Sequence, residues 1–99
     1  MSATGETIVG SRVIVSVLGH DRVGIIAAVA NILAESNINI LDISQTIIQE
    51  FFTMMLIADM GKSKIDLAEL KSRLANIGEE LGLRIEAQHE DIFRYMHRI

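Results

Sequence analysis

The chain has 99 residues and carries nine lysines and arginines against 13 aspartates and glutamates, a formal net charge of −4. This length favours one domain with a single hydrophobic core. Because cysteine is absent, disulfide scaffolds, thiolate metal sites and thiol nucleophiles are excluded. The acidic balance argues against binding to nucleic-acid phosphates. No apolar stretch is long enough to span a bilayer, and the amino-terminal residues lack the pattern of a secretory signal, so a cytoplasmic protein is expected.

The first half of the chain predicts a strand, a helix and a second strand. Residues 1–11 are polar and contain glycines, which predicts a flexible tail. Arg12 to Leu18 is rich in β-branched residues and apolar on both faces, which is typical of a central strand. Residues 23–36 have apolar side chains at helical spacing, and Asn37 is a suitable terminator. Ile38 to Ile48 alternates as a second strand.

The periodicity also predicts which faces of these elements are buried. The core side of the first helix is expected to carry Ile25, Ile26, Val29, Ile32 and Leu33. Alanines leave the outer side of that helix weakly polar. Strict alternation divides the second strand into one face with Ile40, Asp42, Ser44 and Thr46, and another with Leu41, Ile43, Gln45 and Ile47.

The second half predicts two further strands with a helix between them. Phe51 to Asp59 reads as a strand, and its two-residue connection to the preceding strand favours an antiparallel hairpin. Adjacent Met54 and Met55 point to opposite faces, so at most one of them belongs to the core. Asp66 is expected to cap an amphipathic helix that Gly82 ends. Alternating apolar residues from position 83 to 88 predict the last strand.

The order of the elements is therefore βαββαβ, followed by a short C-terminal helix in residues 91–99 with Asp91 as its cap. Right-handed crossovers arrange this order as a ferredoxin-like α+β sandwich, a four-stranded antiparallel sheet with two helices on one face. No proline, repeat or linker divides the chain, so residues 12–90 are expected to form one domain.

Several functional classes share this plan, and composition argues against two of them. RNA-recognition domains need stacking aromatic residues on the central strands, but the first strand of this chain has none. Metal-carrying domains need a cysteine pair in the first loop, and this chain has no cysteine. Arg22 and Asn39 resemble the arginine–asparagine pair of acylphosphatase-like enzymes, but the glycine-rich phosphate cradle is missing. His89 and His97, with the acids between them, match no standard spacing of metal ligands, so no metal site is expected.

Two short motifs carry a family resemblance. The first loop, Gly19-His-Asp-Arg-Val-Gly-Ile25, and the segment Ile38-Asn-Ile40 after the helix resemble the ACT domain, a regulatory module that binds small molecules. The runs Asp42-Ile-Ser-Gln45 and Phe52-Thr-Met-Met55 are similar to small stand-alone ACT proteins related to the glycine cleavage system repressor. The resemblance covers residues 12–89. It implies that an amino-acid effector binds between the first loop and a neighbouring subunit, with Asn39 contacting the ligand.

The residue types in these motifs suit such a ligand. The start of a helix carries partial positive charge and unpaired N–H groups, which stabilise a carboxylate. Gly24 permits close approach of a ligand to the backbone, and the Asn39 amide offers both donors and an acceptor. The first loop departs from the best-known serine-binding pattern at Gly19, Asp21 and Val23, and acidic Asp21 favours an ammonium group. The candidate ligand-binding residues are Gly19, His20, Asp21, Arg22, Val23, Gly24, Ile25, Asn39 and Ile40.

Each of the central candidates also has a purely structural interpretation. Gly24 suits close packing between the helix and a strand, Asp21 suits a helix cap, and Asn39 suits a residue that satisfies backbone groups where the strand starts. These alternatives stay open at the level of the sequence, because they use the same residue types at the same positions.

The sequence thus predicts a non-catalytic regulatory module, without cofactor or metal, that binds an amino acid or similar metabolite at a homodimer interface and signals to a partner protein. The mean hydropathy of +0.35 and the weakly polar first helix indicate surface for a second subunit. The alternatives are a constitutive dimerisation or scaffold module with no ligand, or a small acylphosphatase-like enzyme.

Overall fold

A computed structural model of the chain describes residues 11–92. The elements in chain order are β1 (Arg12–His20), α1 (Ile25–Glu35), β2 (Asn39–Ile48), β3 (Phe51–Asp59), α2 (Leu67–Leu81) and β4 (Leu83–His89). The strands form one antiparallel sheet in the order β2-β3-β1-β4, which confirms the ferredoxin-like arrangement. The predicted amino-terminal tail, apart from Ser11, and the terminal residues 93–99 lie outside the described residues.

Strand β1 occupies the centre of the sheet between β3 and β4. It pairs with β3 from Arg12 opposite Asp59 to His20 opposite Phe51, and with β4 along most of its length. Its residues Val13, Val15 and Val17 are buried against the helices. The prediction of a central strand is confirmed, although β1 continues past Leu18 to His20.

One face of the sheet packs against both helices and forms the core. Alternation along β3 buries Phe52, Met54, Leu56 and Ala58 in this core. Met54 is only 1% exposed, whereas Met55 is 42% exposed on the opposite, open face, as the pattern predicts. The helices contribute the buried residues Ile25, Val29, Ile32, Leu33, Leu70 and Leu74 to the same cluster.

Helix α1 begins at Ile25, later than the predicted position 23, because Gly24 adopts a left-handed conformation with φ 94°. The prediction that Ile26 belongs to the core stripe is wrong, since this side chain is 38% exposed. Each helical residue turns the chain by about 100°, so the side chain that follows buried Ile25 points away from the sheet. Asn37 adopts a left-handed conformation with φ 61°, consistent with its predicted role as terminator.

Helix α2 begins and ends as the sequence predicts. The Asp66 carboxylate accepts a hydrogen bond of 2.9 Å from the Glu69 backbone N–H, and Gly82 closes the helix with φ 70°. Near its end, α2 packs very closely on the start of β4. A Cβ atom on Gly78 would lie 2.8 Å from the carbonyl oxygen of Leu83, so glycine is required there by space.

Strand β2 contains a β-bulge that the sequence pattern does not predict. Its register against β3 shifts between Ile40, which lies opposite Ala58, and Asp42, which lies opposite Ile57. Leu41 is the extra residue, and an extra residue reverses the alternation of faces beyond it. The assignment of Ile40 to the face of Asp42 is therefore wrong. Ile40 lies on the helix face, together with Ile43, Gln45 and Ile47.

The chain turns into a helix directly after β4. Residues 90–92 are helical, so Asp91 lies inside the helix, and its prediction as the cap is wrong. Its backbone N–H donates instead to Nδ1 of His89 at 3.0 Å. An ion pair of 2.8 Å joins Arg12 to Glu90 and fixes this turn to the start of β1. Within residues 11–92, no helix is both long and apolar enough to cross a membrane.

Candidate functional site

The loop between β1 and α1 holds most of the candidate ligand-binding residues. Asp21, Arg22, Val23 and Gly24 are exposed, and Val23 reaches 98% exposure. The next residue, Ile25, is only 2% exposed and packs into the core. The loop is therefore an exposed segment whose end is anchored by a buried side chain, an arrangement that holds the backbone at Gly24 in place.

Asp21 does not cap α1. The residue at the cap position is Gly24, and among the described residues no side chain accepts a hydrogen bond from the first turn. This removes the structural interpretation of Asp21 as a helix cap. The Asp21 backbone N–H donates instead to the carbonyl oxygen of Glu50 at 2.8 Å. The first-turn N–H groups of α1 are thus available to an external acceptor.

Gly24 is required by backbone conformation and not by close packing. Its φ of 94° lies in the region that residues with a Cβ atom rarely adopt, and a Cβ built there meets no other atom of residues 11–92 within 4 Å. The space beside Gly24 is open, which leaves room for a ligand or a neighbouring chain. Gly19, by contrast, lies in a crowded place, because a Cβ there would lie 2.5 Å from the Leu83 side chain.

The two long side chains of the loop region contact neighbouring elements. Nη1 of Arg22 donates to the carbonyl oxygen of Leu81 at 3.4 Å, where a positive charge is favourable because the carbonyl end of a helix carries partial negative charge. The His20 and Phe51 rings have centroids 5.2 Å apart. Both contacts hold the ends of α2 and β3 close to the loop.

Asn39 and Ile40 lie at the opposite end of the sheet from this loop. Asn39 pairs with Asp59, which pairs with Arg12 at the start of β1, whereas the loop follows His20 at its end. The nine residues of β1 separate the two ends by roughly 26 Å, given a rise of about 3.3 Å per residue. Asn39 is exposed, and Ile40 is partly buried against the core. One chain therefore does not bring all of the candidate residues together.

The same separation removes the resemblance to an acylphosphatase-like site within one chain. Arg22 belongs to the loop end of the sheet and Asn39 to the other end, so the two side chains do not meet. In residues 11–92, no three histidine, aspartate or glutamate side chains group closely enough to hold a metal ion.

The short turn between β2 and β3, which the sequence pattern marks only as a connection, also belongs to this region. Gln49 adopts φ 57°, and the Glu50 carbonyl accepts the hydrogen bond from Asp21. Ile48 and Phe51 flank the turn and are 63% and 45% exposed. The strand order could have shown that this turn belongs to the region, because β3 lies between β2 and β1 and so brings the turn beside the end of β1.

Comparison with known proteins identifies the family. The chain matches the ACT domain family over residues 11–88. It is 56% identical over 89 residues to a UPF0237 protein of Methanocaldococcus jannaschii, a match that covers 90% of this chain and 99% of that protein.

Solved structures agree with this assignment. An ACT domain protein from Streptococcus pneumoniae has a TM-score of 0.72 at 38% identity, covering 83% of this chain and 92% of that one. A putative glycine cleavage system transcriptional repressor shares the fold with a TM-score of 0.72 at 18% identity, covering 83% of this chain and 47% of that one. ACT domains are typically regulatory modules that bind small molecules, and this chain belongs to the ACT domain family and, within it, to the UPF0237 proteins.

Proposed function

We propose that the protein is a non-catalytic regulatory module that binds an amino acid or a similar small metabolite between two copies of the chain. A partner protein, in the cytoplasm, then responds to the bound state. The observation that carries this proposal is the division of the candidate residues between two ends of the sheet. A site that includes both the β1–α1 loop and Asn39 needs the loop from one copy and Asn39 from the other.

Strand β2 offers a simple way to form that pair. Among residues 11–92 it pairs with β3 alone, so no described strand covers its outer edge. If β2 pairs antiparallel with β2 of a second copy, the start of one strand lies beside the end of the other. Asn39 of the second copy then lies next to Ile48, at the end of the sheet that carries the loop after β1. Asp42 is the only charged residue in β2, so little repulsion protects this edge.

Apolar surface beside β2 supports the same arrangement. Leu41, Ile43 and Ile47 are exposed, as is Ile26 on the neighbouring helix. Full burial of such a side chain is worth about 1.5–3 kcal/mol, so burying the exposed half of four in each copy contributes roughly 6–12 kcal/mol. The cost of association is about 4–15 kcal/mol. Because the free energy of burial and the cost of association are similar, a metabolite that binds both copies shifts their association measurably.

We call the place where the β1–α1 loop of one copy faces Asn39 of the other the junction. Its groups suit the carboxylate and the ammonium group of an amino acid. The uncapped first turn of α1 offers N–H donors to a carboxylate. The Asp21 carboxylate attracts an ammonium group, and the Asn39 amide of the second copy accepts or donates. Asp59, opposite Asn39, is held in place because its carboxylate accepts hydrogen bonds from the Ser11 hydroxyl (2.7 Å) and from the Gly61 N–H (2.8 Å).

Calorimetry with the common amino acids tests the proposal, combined with sedimentation to measure the oligomeric state. We expect at least one amino acid to bind and to favour the dimer. The variants Asp21→Ala and Asn39→Ala should each lose binding, whereas the matched exposed controls Glu80→Ala and Asn76→Ala should retain it. If no amino acid binds, or if the two site variants bind normally, the regulatory function is refuted. A dimer that persists without any ligand then supports the constitutive scaffold.

Mixing the two inactive variants tests whether the site is shared. In a mixed dimer, the intact loop of the Asn39→Ala copy meets the intact Asn39 of the Asp21→Ala copy, so one of its two sites is complete. Random pairing of equal amounts therefore restores about one quarter of the wild-type binding capacity. If mixing restores nothing while both variants still dimerise, the loop and Asn39 do not share a ligand.

A further inference from the structure

Three exposed side chains form a row across the end of the sheet nearest the β1–α1 loop. Ile48 lies opposite Phe51, and Phe51 lies opposite His20. We call Ile48, Phe51 and His20 the end row. Phe51 is the centre of the row, with its ring centroid 5.2 Å from that of His20. Two members of the row, Ile48 and Phe51, are apolar and lie 63% and 45% exposed, so the hydrophobic effect favours covering them.

The end row lies on the open face of the sheet, away from the helices. Along β3 the residue after Phe51, Phe52, is buried in the core, so Phe51 points to the open face. Asn39 lies opposite Asp59, which is eight positions after Phe51 in β3. Residues an even number of positions apart in a strand share a face, so Asn39 lies on the same face as Phe51. In a dimer paired through β2, the end row of one copy and Asn39 of the other occupy the same face at the same end.

A backbone hydrogen bond joins the end row to the ligand-binding loop. The Asp21 N–H donates to the Glu50 carbonyl at 2.8 Å, so the β2–β3 turn that carries the row is fixed against the loop. The charges of the junction are mostly acidic, because Asp21 and Glu50 are exposed while the Arg22 guanidinium donates to the end of α2. A ligand with an additional negative charge is disfavoured here, and one with an ammonium group is favoured.

We propose that the end row is the side-chain subsite of the effector, and that the effector is an amino acid with an uncharged apolar side chain. This inference rests on the proposed function, which places the polar groups of the amino acid at the loop and at Asn39. Ligand pockets are lined mainly by apolar and aromatic groups, with few polar groups to set the orientation. Covering the row with a side chain the size of leucine makes binding roughly 10- to 100-fold tighter than that of glycine.

Calorimetric titration with five probes tests the subsite: L-leucine, L-phenylalanine, glycine, L-serine and L-glutamate. For the wild type we expect leucine and phenylalanine to bind most tightly and glutamate most weakly. Phe51→Ala should weaken leucine and phenylalanine about tenfold, the effect of losing part of a buried apolar contact, and leave glycine and serine unchanged. Met55→Ala is the matched control, since Met55 lies on the same strand and face with nearly the same exposure.

A second variant, Ile48→Ala, repeats the test on the neighbouring strand if Phe51→Ala reduces folding, which a thermal melt of each variant measures. The inference is overturned if glycine, serine or glutamate binds more tightly than leucine and phenylalanine, or if Phe51→Ala and Met55→Ala have the same effect. In both of these outcomes the proposed function survives, provided that Asp21→Ala still abolishes binding. If no amino acid binds the wild type, the proposed function and the inference fail together.

Discussion

Substituting Gly24 tests whether the β1–α1 loop holds this residue in a left-handed conformation. Its φ is 94°, and an added Cβ meets no atom within 4 Å, so the cost of Gly24→Ala comes from backbone conformation alone. An alanine held in the left-handed region costs about 1–2 kcal/mol. Gly24→Asn should cost clearly less, because the short polar side chain of asparagine tolerates this conformation. Urea denaturation followed by circular dichroism measures the free energy of unfolding of each variant.

Two other glycines provide controls with opposite expectations. Gly82 also has a positive φ, 70°, and open space around its Cβ position, so alanine should be costly there and asparagine should recover most of the loss. At Gly78 a Cβ would contact the backbone oxygen of Leu83 at 2.8 Å. Asparagine should be no better than alanine at that position, since both carry the offending atom.

Thermal melts give an independent reading of the same series, because 1 kcal/mol corresponds to about 4–8 °C in a domain of this size. If Gly24→Ala and Gly24→Asn lower the free energy of unfolding equally, or if neither lowers it, the loop does not hold Gly24 in the left-handed conformation. The account of the exposed backbone at the start of α1 would then be refuted.

Two further substitutions test the core and the second helix. Met54→Ala should lower the free energy of unfolding by about 2–5 kcal/mol because it leaves a cavity in the core, whereas Met55→Ala should change it by about 0.5 kcal/mol or less; equal effects in urea denaturation would contradict the assignment of faces. Asp66→Ala should cost about 1 kcal/mol through loss of the hydrogen bond to Glu69, and Asp66→Asn should retain most of it, which the same measurement checks.

The elements that the sequence predicts correctly are those with local signals. Strand β3 runs from Phe51 to Asp59 as predicted, because alternating large residues lie between a short turn and a glycine. Helix α2 is bounded by Asp66 and Gly82. The Asp66 side chain accepts a hydrogen bond from the first turn, and Gly82 adopts the left-handed conformation that ends a helix. In both cases, the residues that set the boundary lie directly beside the element in the sequence.

The errors arise where long-range packing decides the outcome. The bulge at Leu41 depends on how β2 aligns with β3, and no residue type in β2 marks it. Ile26 is apolar and adjacent to buried Ile25, but the sheet covers only part of the circumference of α1. The helix after β4 begins at Glu90, directly after the strand, so His89 rather than Asp91 accepts a hydrogen bond from its first turn.

The candidate site shows the same limit. The motif around Gly24 and the motif around Asn39 are recognisable in the sequence, but the distance between them follows only from the register of three strands. Likewise, Phe51 becomes a neighbour of the loop only because β3 pairs with β1. The family resemblance gives the candidate residues, and the topology gives the distance between them within one chain.

The central position of β1 has a consequence for how the chain folds. Hairpin β2–β3 joins neighbours in the sequence, but Val13 pairs with His89, 76 residues later in the sequence. Contacts between distant residues slow folding, because the entropy of closing a long loop is lost before the contact forms. During synthesis, the edge of β1 that pairs with β4 therefore stays unpaired until β4 has been made. Strand β4, the last strand within residues 11–92, therefore completes the sheet.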